Sequence, residues 1–307
     1  MGSVLVVGSL NYDTTLVVER IPVVGETVIG KSVAYGCGGK GANQACACAR
    51  AGARTTMLGA IGDDSGGSQL RQSLAACGVR TEALLVERKA PTGMAVVTVE
   101  ASGRNHIVVI PGANAALTAE RVEAFFAGME EAPQVVLLQL EIPLAAVYAA
   151  IRCAKAAGAM VALNPAPAQR LDPAYFPQID YLLPNETELA LLAARAGGPA
   201  KQAEALTRAG VGHVVATLGE RGALHLAAGC APVYYAAHRV RAVDTVGAGD
   251  CFCGYFCAAL AAGKDVGAAI AAGTAAAAIS VTRPGAQAAI PLAKEVEALL
   301  KGEWDCV

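Results

Sequence analysis

Short β-branched runs alternate with alanine-rich helical stretches along most of the chain. This alternation constrains the fold more than any other feature. Strands that are apolar throughout must be buried on both faces, and interleaved helices supply cover for both. Strands are expected at Val4–Gly8, Thr55–Ala60, Val135–Leu140, Met160–Leu163, Tyr181–Leu183 and Val214–Thr217. Helices are expected at Ala42–Arg50, Ser68–Cys77, Thr118–Met129, Leu144–Ala157, Glu186–Ala196, Lys201–Ala209, Cys251–Ala262, Val266–Val281 and Ala293–Leu300. The third helix shows the boundary logic: Thr118 can cap it, Glu120 sits in its first turn, and Gly128 and Pro133 mark its exit. The expected class is α/β with a mostly parallel sheet.

Two segments break the pattern. Leu16–Tyr35 reads as strand and turn without a helix. Met94–Ile110 reads as a hairpin whose turn is Ala101–Asn105. Extra β segments on an α/β core predict a small lid built from two separated stretches.

Composition removes several function classes. With 307 residues the chain makes one large or two modest domains. It is 54% hydrophobic with a formal charge of −2, so it is not disordered and carries no electrostatic footprint for nucleic acid or an anionic membrane. The uncharged run Val266–Thr282 is shorter than the ~20 apolar residues a membrane span wants, and its Ala and Gly suit a buried helix. A strand beginning at Ser3 leaves no visible targeting segment, so a cytoplasmic location is expected. Met1-Gly2 does not continue into a myristoylation signal, and Asp305-Cys306-Val307 is no lipidation box. The ten cysteines show no C-x-x-C and no zinc spacing, and reduced thiols are expected.

Several segments carry residue types that chemistry needs. Gly36–Gly41 matches G-x-G-x-x-G, with Asp63 further on where a dinucleotide fold wants an acid, but it follows the first sheet strand too late for that fold. Its glycines either open a helix start to an anion beside Lys40 or make a tight turn. In Asp244–Asp250, Gly247 and Gly249 present backbone N–H groups at a helix start, and Asp250 beside them is either a proton acceptor or a helix cap. Asn11 and Asp13 follow the first strand, where ligands bind, or form an Asx turn; Glu141 has the same placement and ambiguity. Thr217–Gly222 either hugs a flat or phosphate-bearing ligand or simply turns a hairpin. Asn185-Glu186-Thr187-Glu188 opens a helix with Asn185 as cap, its carboxylates organising a hydrated Mg²⁺ or complementing the dipole.

Together these segments resemble the ribokinase branch of the ribokinase/PfkB sugar-kinase family, almost end to end. The match runs through N-Y-D at Asn11–Asp13, G-G-K-G-A-N-Q at Gly38–Gln44, I-G-D-D at Ile61–Asp64 and P-G-A-N-A-A-L at Pro111–Leu117. It continues through Q-L-E at Gln139–Glu141, N-P-A-P-A at Asn164–Ala168 and P-N-E-T-E at Pro184–Glu188. T-L-G-E-R-G at Thr217–Gly222, D-T-V-G-A-G-D at Asp244–Asp250 and T-R-P-G-A-Q at Thr282–Gln287 complete it.

The resemblance implies a ribokinase-like three-layer α/β/α sandwich over residues 1–307 as a single domain, with a β lid at about 14–37 and 92–110. It implies ATP-dependent phosphorylation of the 5-hydroxyl of D-ribose. By the same resemblance Asn11, Asp13, Gly39, Lys40, Asn43 and Glu141 are sugar contacts. Asp250 is the general base that meets the sugar hydroxyl, and Gly247, Ala248 and Gly249 form the anion hole. Asn185, Thr217, Leu218, Gly219, Glu220, Arg221, Gly222, Gly249 and Thr274 are nucleotide contacts, and Glu188 organises Mg²⁺ indirectly. Asp244, Val246, Ser280, Arg283, Gly285 and Ala289 match the loops that hold an activating monovalent cation such as K⁺. A homodimer through the lid is implied as well.

Three other readings remain. A family relative could act on deoxyribose, fructose, a ketodeoxy acid or a nucleoside such as adenosine. An NAD(P)-dependent oxidoreductase would rest on Gly36–Gly41 but leaves Asp244–Asp250 unexplained. A non-catalytic sugar sensor would have no use for Lys40, Asn43 and Asp250 together.

Overall fold

The computed structural model describes residues 2–304 apart from Ala101 and Gly103. Part of the expected hairpin turn, Met1, and the C-terminal Asp305-Cys306-Val307 therefore lie outside the described residues. In chain order the strands are β1 (Ser3–Val7), β2 (Asn11–Val18), β3 (Gly30–Gly38), β4 (Arg54–Gly62), β5 (Leu84–Glu87), β6 (Met94–Glu100) and β7 (Asn105–Ile110). They continue with β8 (Val135–Leu138), β9 (Met160–Leu163), β10 (Tyr181–Leu182), β11 (His213–Thr217), β12 (Ala223–Ala227) and β13 (Val233–Tyr235). The helices are α1 (Lys40–Arg50), α2 (Ser65–Ala76), α3 (Ala119–Ala127), α4 (Leu144–Ala156), α5 (Glu186–Ala193), α6 (Pro199–Arg208), α7 (Ala248–Ala261), α8 (Val266–Ser280) and α9 (Ala293–Lys301).

The large sheet has the order β13-β12-β11-β10-β9-β8-β1-β4-β5. From β11 to β5 every neighbouring pair is parallel, and β12 and β13 add antiparallel strands at one edge. Alternation along β1 divides the core. Val4 and Val6 pack with Cys46, Phe252, Phe256 and Ile270 on one face. Leu5 and Val7 pack with Val147, Ile151, Leu189 and Leu206 on the other. Both faces of one strand are thus apolar, as the unbroken run in the sequence requires.

The lid is a second sheet in the order β3-β2-β6-β7, with β2 and β6 parallel at its centre. It starts at Asn11, earlier than its first break in periodicity at Leu16, because β2 follows β1 after three residues. Every expected helix is present. The strands β5, β12 and β13 were not expected; they are short and lie toward the sheet's edges, where the apolar signal is weakest. The strand expected to reach Leu140 leaves the ladder after Leu138, and Leu140 N donates instead to Ala166 O at 2.9 Å. Among the described residues no helix is long and apolar enough to cross a membrane.

The nine described cysteines are free thiols. Cys48, Cys253 and Cys257 lie buried, and the Cys48 thiol donates to Gly254 O at 3.3 Å across the crossing of α1 and α7. There they act as small apolar residues that let two helices approach.

Candidate active site

Strands β1, β8, β9, β10 and β11 point their carboxyl ends at one edge of the sheet, where open α/β sheets bind ligands. Just beyond them come Ser9 and Asn11, Gln139 and Glu141, Asn164, Asn185, and Thr217 at the end of β11 itself.

The glycines at 36–41 do not make an anion hole. Gly38 closes β3, Gly39 caps α1 at φ 87°, and α1 starts two residues earlier than expected, at Lys40. The first amides of α1 are already used. Lys40 N donates to Glu141 Oε2 at 3.1 Å, Gly41 N to Ser9 Oγ at 3.3 Å and Ala42 N to Ser9 O at 2.9 Å. A Cβ on Gly41 would lie 2.6 Å from Ser9 N, so glycine here lets α1 press onto the end of β1. The dinucleotide reading falls with this, because the glycines end a lid strand and Asp63 is an exposed partner of Arg88. What α1 offers the site is side chains: Lys40, Asn43 and Gln44.

The start of α7 is different. Gly247 is its cap at φ 76°, a left-handed conformation that favours glycine. Among the described residues no acceptor engages the amides of Gly249 and Asp250, which leaves them available to an anion at a helix N-terminus. Helix α7 begins at Ala248, so Asp250 sits inside its first turn and is not the cap. Its carboxylate, 6% exposed, turns toward α1. Asn43 Nδ2 donates to Asp250 Oδ2 at 2.9 Å, and Gln44 Nε2 donates to Oδ1 at 2.9 Å.

Around this carboxylate the charges are close. Burial works against the Lys40 ammonium, but the Asp250, Glu141 and Glu188 carboxylates outweigh it and hold its pKa above the ordinary value. Glu188 is pushed up by burial, against the amide it accepts from Asn185 and the field of Lys40. It completes a capping box: Asn185 N donates to Glu188 Oε2 at 2.9 Å and Glu188 N to Asn185 Oδ1 at 2.9 Å. The expected cap at Asn185 is therefore present.

Neither Asn11 nor Asp13 makes an Asx turn; both lie in β2. Asn11 Oδ1 accepts from Asn114 Nδ2 at 2.8 Å, and Asp13 Oδ1 accepts from Ala95 N of β6 at 2.9 Å. Burial raises Asp13 to about 6, with the nearby Glu141 adding to it. Glu141 itself accepts from Ser9 Oγ at 2.6 Å.

On the other side of α7 lies a cavity of about 890 Å³. Thr217, Gly219, Glu220, Arg221, Gly222, Ala248, Gly249 and Thr274 line it, all expected except that Ala248 was assigned to the anion hole. Thr217–Gly222 also turns the β11–β12 hairpin, as one of its two readings expects. Thr274 lines this cavity, and among the described residues its buried Oγ1 has no hydrogen-bond partner. Leu218 and Asn185 are off its wall: Leu218 is buried in the core and Asn185 caps α5.

The loops that precede α7 and follow α8 are tied together by Asp244. Its carboxylate accepts from Val246 N at 3.0 Å and Gly285 N at 2.9 Å. Gly247 packs against Ala286, so the second loop backs the start of α7. Ser280 and Ala289 are buried, and Arg283 is held by Glu295.

Sequence reasoning passed over two groups of residues. Gln44, Gln139, Asn164, Ser9 and Asn114 bind the site's carboxylates and amides together, and all but Ser9 belong to the family-like motifs, where their residue types alone assign no role. Phe252, Ala277, Ala278 and Val281 wall the cavity without a chemical signal in the sequence, and so do His238 and Arg239 of the 237–242 loop, which belong to no motif.

The family described as pfkB family carbohydrate kinase matches residues 1–293. The ribokinase of Haemophilus influenzae is 39% identical over 294 residues, covering 94% of this chain and 95% of that one. The deoxyribokinase of Salmonella typhimurium is 37% identical over 296 residues, with 94% and 95% covered. The structure of Arabidopsis thaliana ribokinase complexed with ribose and ATP superposes with a TM-score of 0.89 at 31% identity, covering 98% of this chain and 99% of that one.

Proposed function

The chain belongs to the pfkB carbohydrate kinase family and is a sugar kinase, and we propose that it transfers the γ-phosphoryl group of ATP to the 5-hydroxyl of D-ribose. The observation that carries this reading is Asp250. It is a buried carboxylate held by two side-chain amides, beside two unengaged backbone N–H groups and next to Gly249, which lines the large cavity.

In the proposed step the sugar lies among Asn11, Asp13, Gly39, Lys40, Asn43 and Glu141, and ATP occupies the cavity. The sugar oxygen attacks the γ-phosphorus, the bond to the β–γ bridging oxygen breaks, and the hydroxyl proton passes to Asp250. The amides at Gly247–Gly249 and the Lys40 ammonium receive the charge that spreads over the phosphoryl oxygens. The lid segments, 14–37 and 92–110, keep water from competing as acceptor.

Two ions fit the residues present. The backbone carbonyls of the loops at Asp244, Val246, Ser280, Arg283, Gly285 and Ala289, which Asp244 ties together, would hold K⁺ behind the anion hole. Its bound charge would steady the loops and add to the positive field there. Glu188 spends both oxygens on Asn185, so it suits the hydration shell of Mg²⁺ rather than direct ligation. Mg²⁺ would neutralise phosphate charge.

The lid also supports a homodimer. Its edge strands expose Val33 and Tyr35 on β3 and Ile107, Val108, Val109 and Ile110 on β7, an unpartnered apolar surface. The cytoplasm is the compartment that fits an enzyme drawing on ATP.

The test is ADP release with ATP, Mg²⁺ and K⁺ across ribose, 2-deoxyribose, fructose and adenosine. Turnover should be fastest with ribose. Fastest turnover with 2-deoxyribose would move the assignment to the other sugar seen among its relatives, and none with any acceptor would remove the kinase reading.

A pH dependence follows from Asp13. Above about pH 6 it is an anion able to accept two sugar hydroxyls; below that value it takes a proton and loses an acceptor. KM for the sugar should rise as pH falls through 6, and Asp13→Asn should raise KM but flatten the dependence. A wild-type KM constant from pH 5 to 8 would remove Asp13 from the sugar site.

A further inference from the structure

Four buried side-chain amides and a carboxylate form one connected chain behind the site. Asn164 Nδ2 donates to Leu183 O at 2.8 Å. Gln44 Nε2 donates to both Asn164 Oδ1, at 3.1 Å, and Asp250 Oδ1, at 2.9 Å. Gln139 Nε2 donates to Gln44 Oε1 at 2.6 Å. Asn43 Nδ2 donates to Asp250 Oδ2 at 2.9 Å.

The direction of this chain is forced from its two ends. The Leu183 carbonyl can only accept, so Asn164 must show it nitrogen and show Gln44 oxygen. Asp250, as a carboxylate, also only accepts. Both demands fall on Gln44 Nε2, which therefore gives one hydrogen to each and leaves Oε1 facing Gln139. Gln139 must then present nitrogen, which leaves its own Oε1 buried against Gly8 with no partner. An unpartnered buried acceptor is unfavourable, and turning the Gln139 amide around would set two oxygens against each other. The local loss is accepted because the two ends dictate the polarity.

We propose that Gln44 is a positioning residue for the catalytic base: with Gln139 and Asn164 it forms a one-way amide relay that always presents a donor to Asp250 Oδ1. The inference rests on the reading of Asp250 as the base. A neutral donor fixes the plane of the carboxylate without adding a competing positive charge. Asn43 does the same for Oδ2, and each oxygen keeps a lone pair for the incoming hydroxyl proton. The other groups facing Asp250 are Lys40 from α1, Glu188 from α5, and the thiols of Cys251 and Cys253 on its own helix. Among the described residues none of them hydrogen-bonds Oδ1, so the task falls to Gln44.

The test is Gln44→Glu, which keeps shape and replaces the donor with a second carboxylate. Two carboxylates in one buried site cannot both ionise, so a proton is retained between them. The expected result is a folded enzyme with sugar KM within about threefold of wild type, kcat at pH 7 lower by about a hundredfold, and partial recovery at higher pH. The acid limb of the kcat profile should move up by about one pH unit or more. If Gln44→Glu does not fold, Gln139→Glu asks the same question one link away and should move the limb in the same direction. An acid limb in its wild-type position, in whichever of these variants folds, would overturn the proposal. Asp250→Asn separates the two layers: if it retains turnover, the reading of the base fails. If it is inactive while Gln44→Glu and Gln139→Glu keep the wild-type profile, only the relay fails.

Discussion

Asp250→Asn should lower kcat by about three orders of magnitude or more while sugar affinity changes little. The amide is nearly the same size as the carboxylate and sits in a site that Asn43 and Gln44 already hold with donors. Its nitrogen would face those donors and its oxygen cannot take a hydroxyl proton. The loss belongs to the step in which the sugar oxygen becomes a nucleophile, so binding measured by calorimetry should survive. Near-normal kcat would remove Asp250 as the base.

The second large effect is structural and lies four residues further along α7. Gly254 is where α1 and α7 touch. A Cβ placed there would come within 2.3 Å of Ala47 Cβ, 2.8 Å of Gln44 O and 2.9 Å of Cys48 N. Two of these are backbone atoms of α1, which no rotamer change can move. Gly254→Val should therefore cost about 3 kcal/mol of stability, at the upper end of ordinary overpacking, read as a lower urea midpoint. The fraction that folds should also lose kcat, because the helices carrying Asn43, Gln44 and Asp250 are forced apart. A variant with wild-type midpoint and kcat would show that the two helices are not in the contact described here.

These two positions also show what the sequence makes legible. Helix ends are local, so Thr118 and Asn185 mark their own caps, and the helices fall within a few residues of where the sequence places them. Asp250 stands out because glycines and a carboxylate precede an apolar helix. Its partners do not stand out, since Gln44 lies 206 positions away in sequence and meets it only once α1 crosses α7. The same limit explains the glycines before α1. Their amides are occupied by Ser9 and Glu141, which lie just beyond the ends of β1 and β8 and far from them in sequence. The cysteines of α7 resolve in the same way, as small residues at a helix crossing and not as a site.

The proposed reaction is tested most directly by the position of the new phosphate. With D-ribose, ATP, Mg²⁺ and K⁺, phosphorus-coupled carbon NMR of the product should show the phosphoryl group on the 5-carbon's oxygen, with one ADP formed per sugar consumed. A phosphoryl group on any other oxygen, or ADP formed without sugar phosphate, would contradict it.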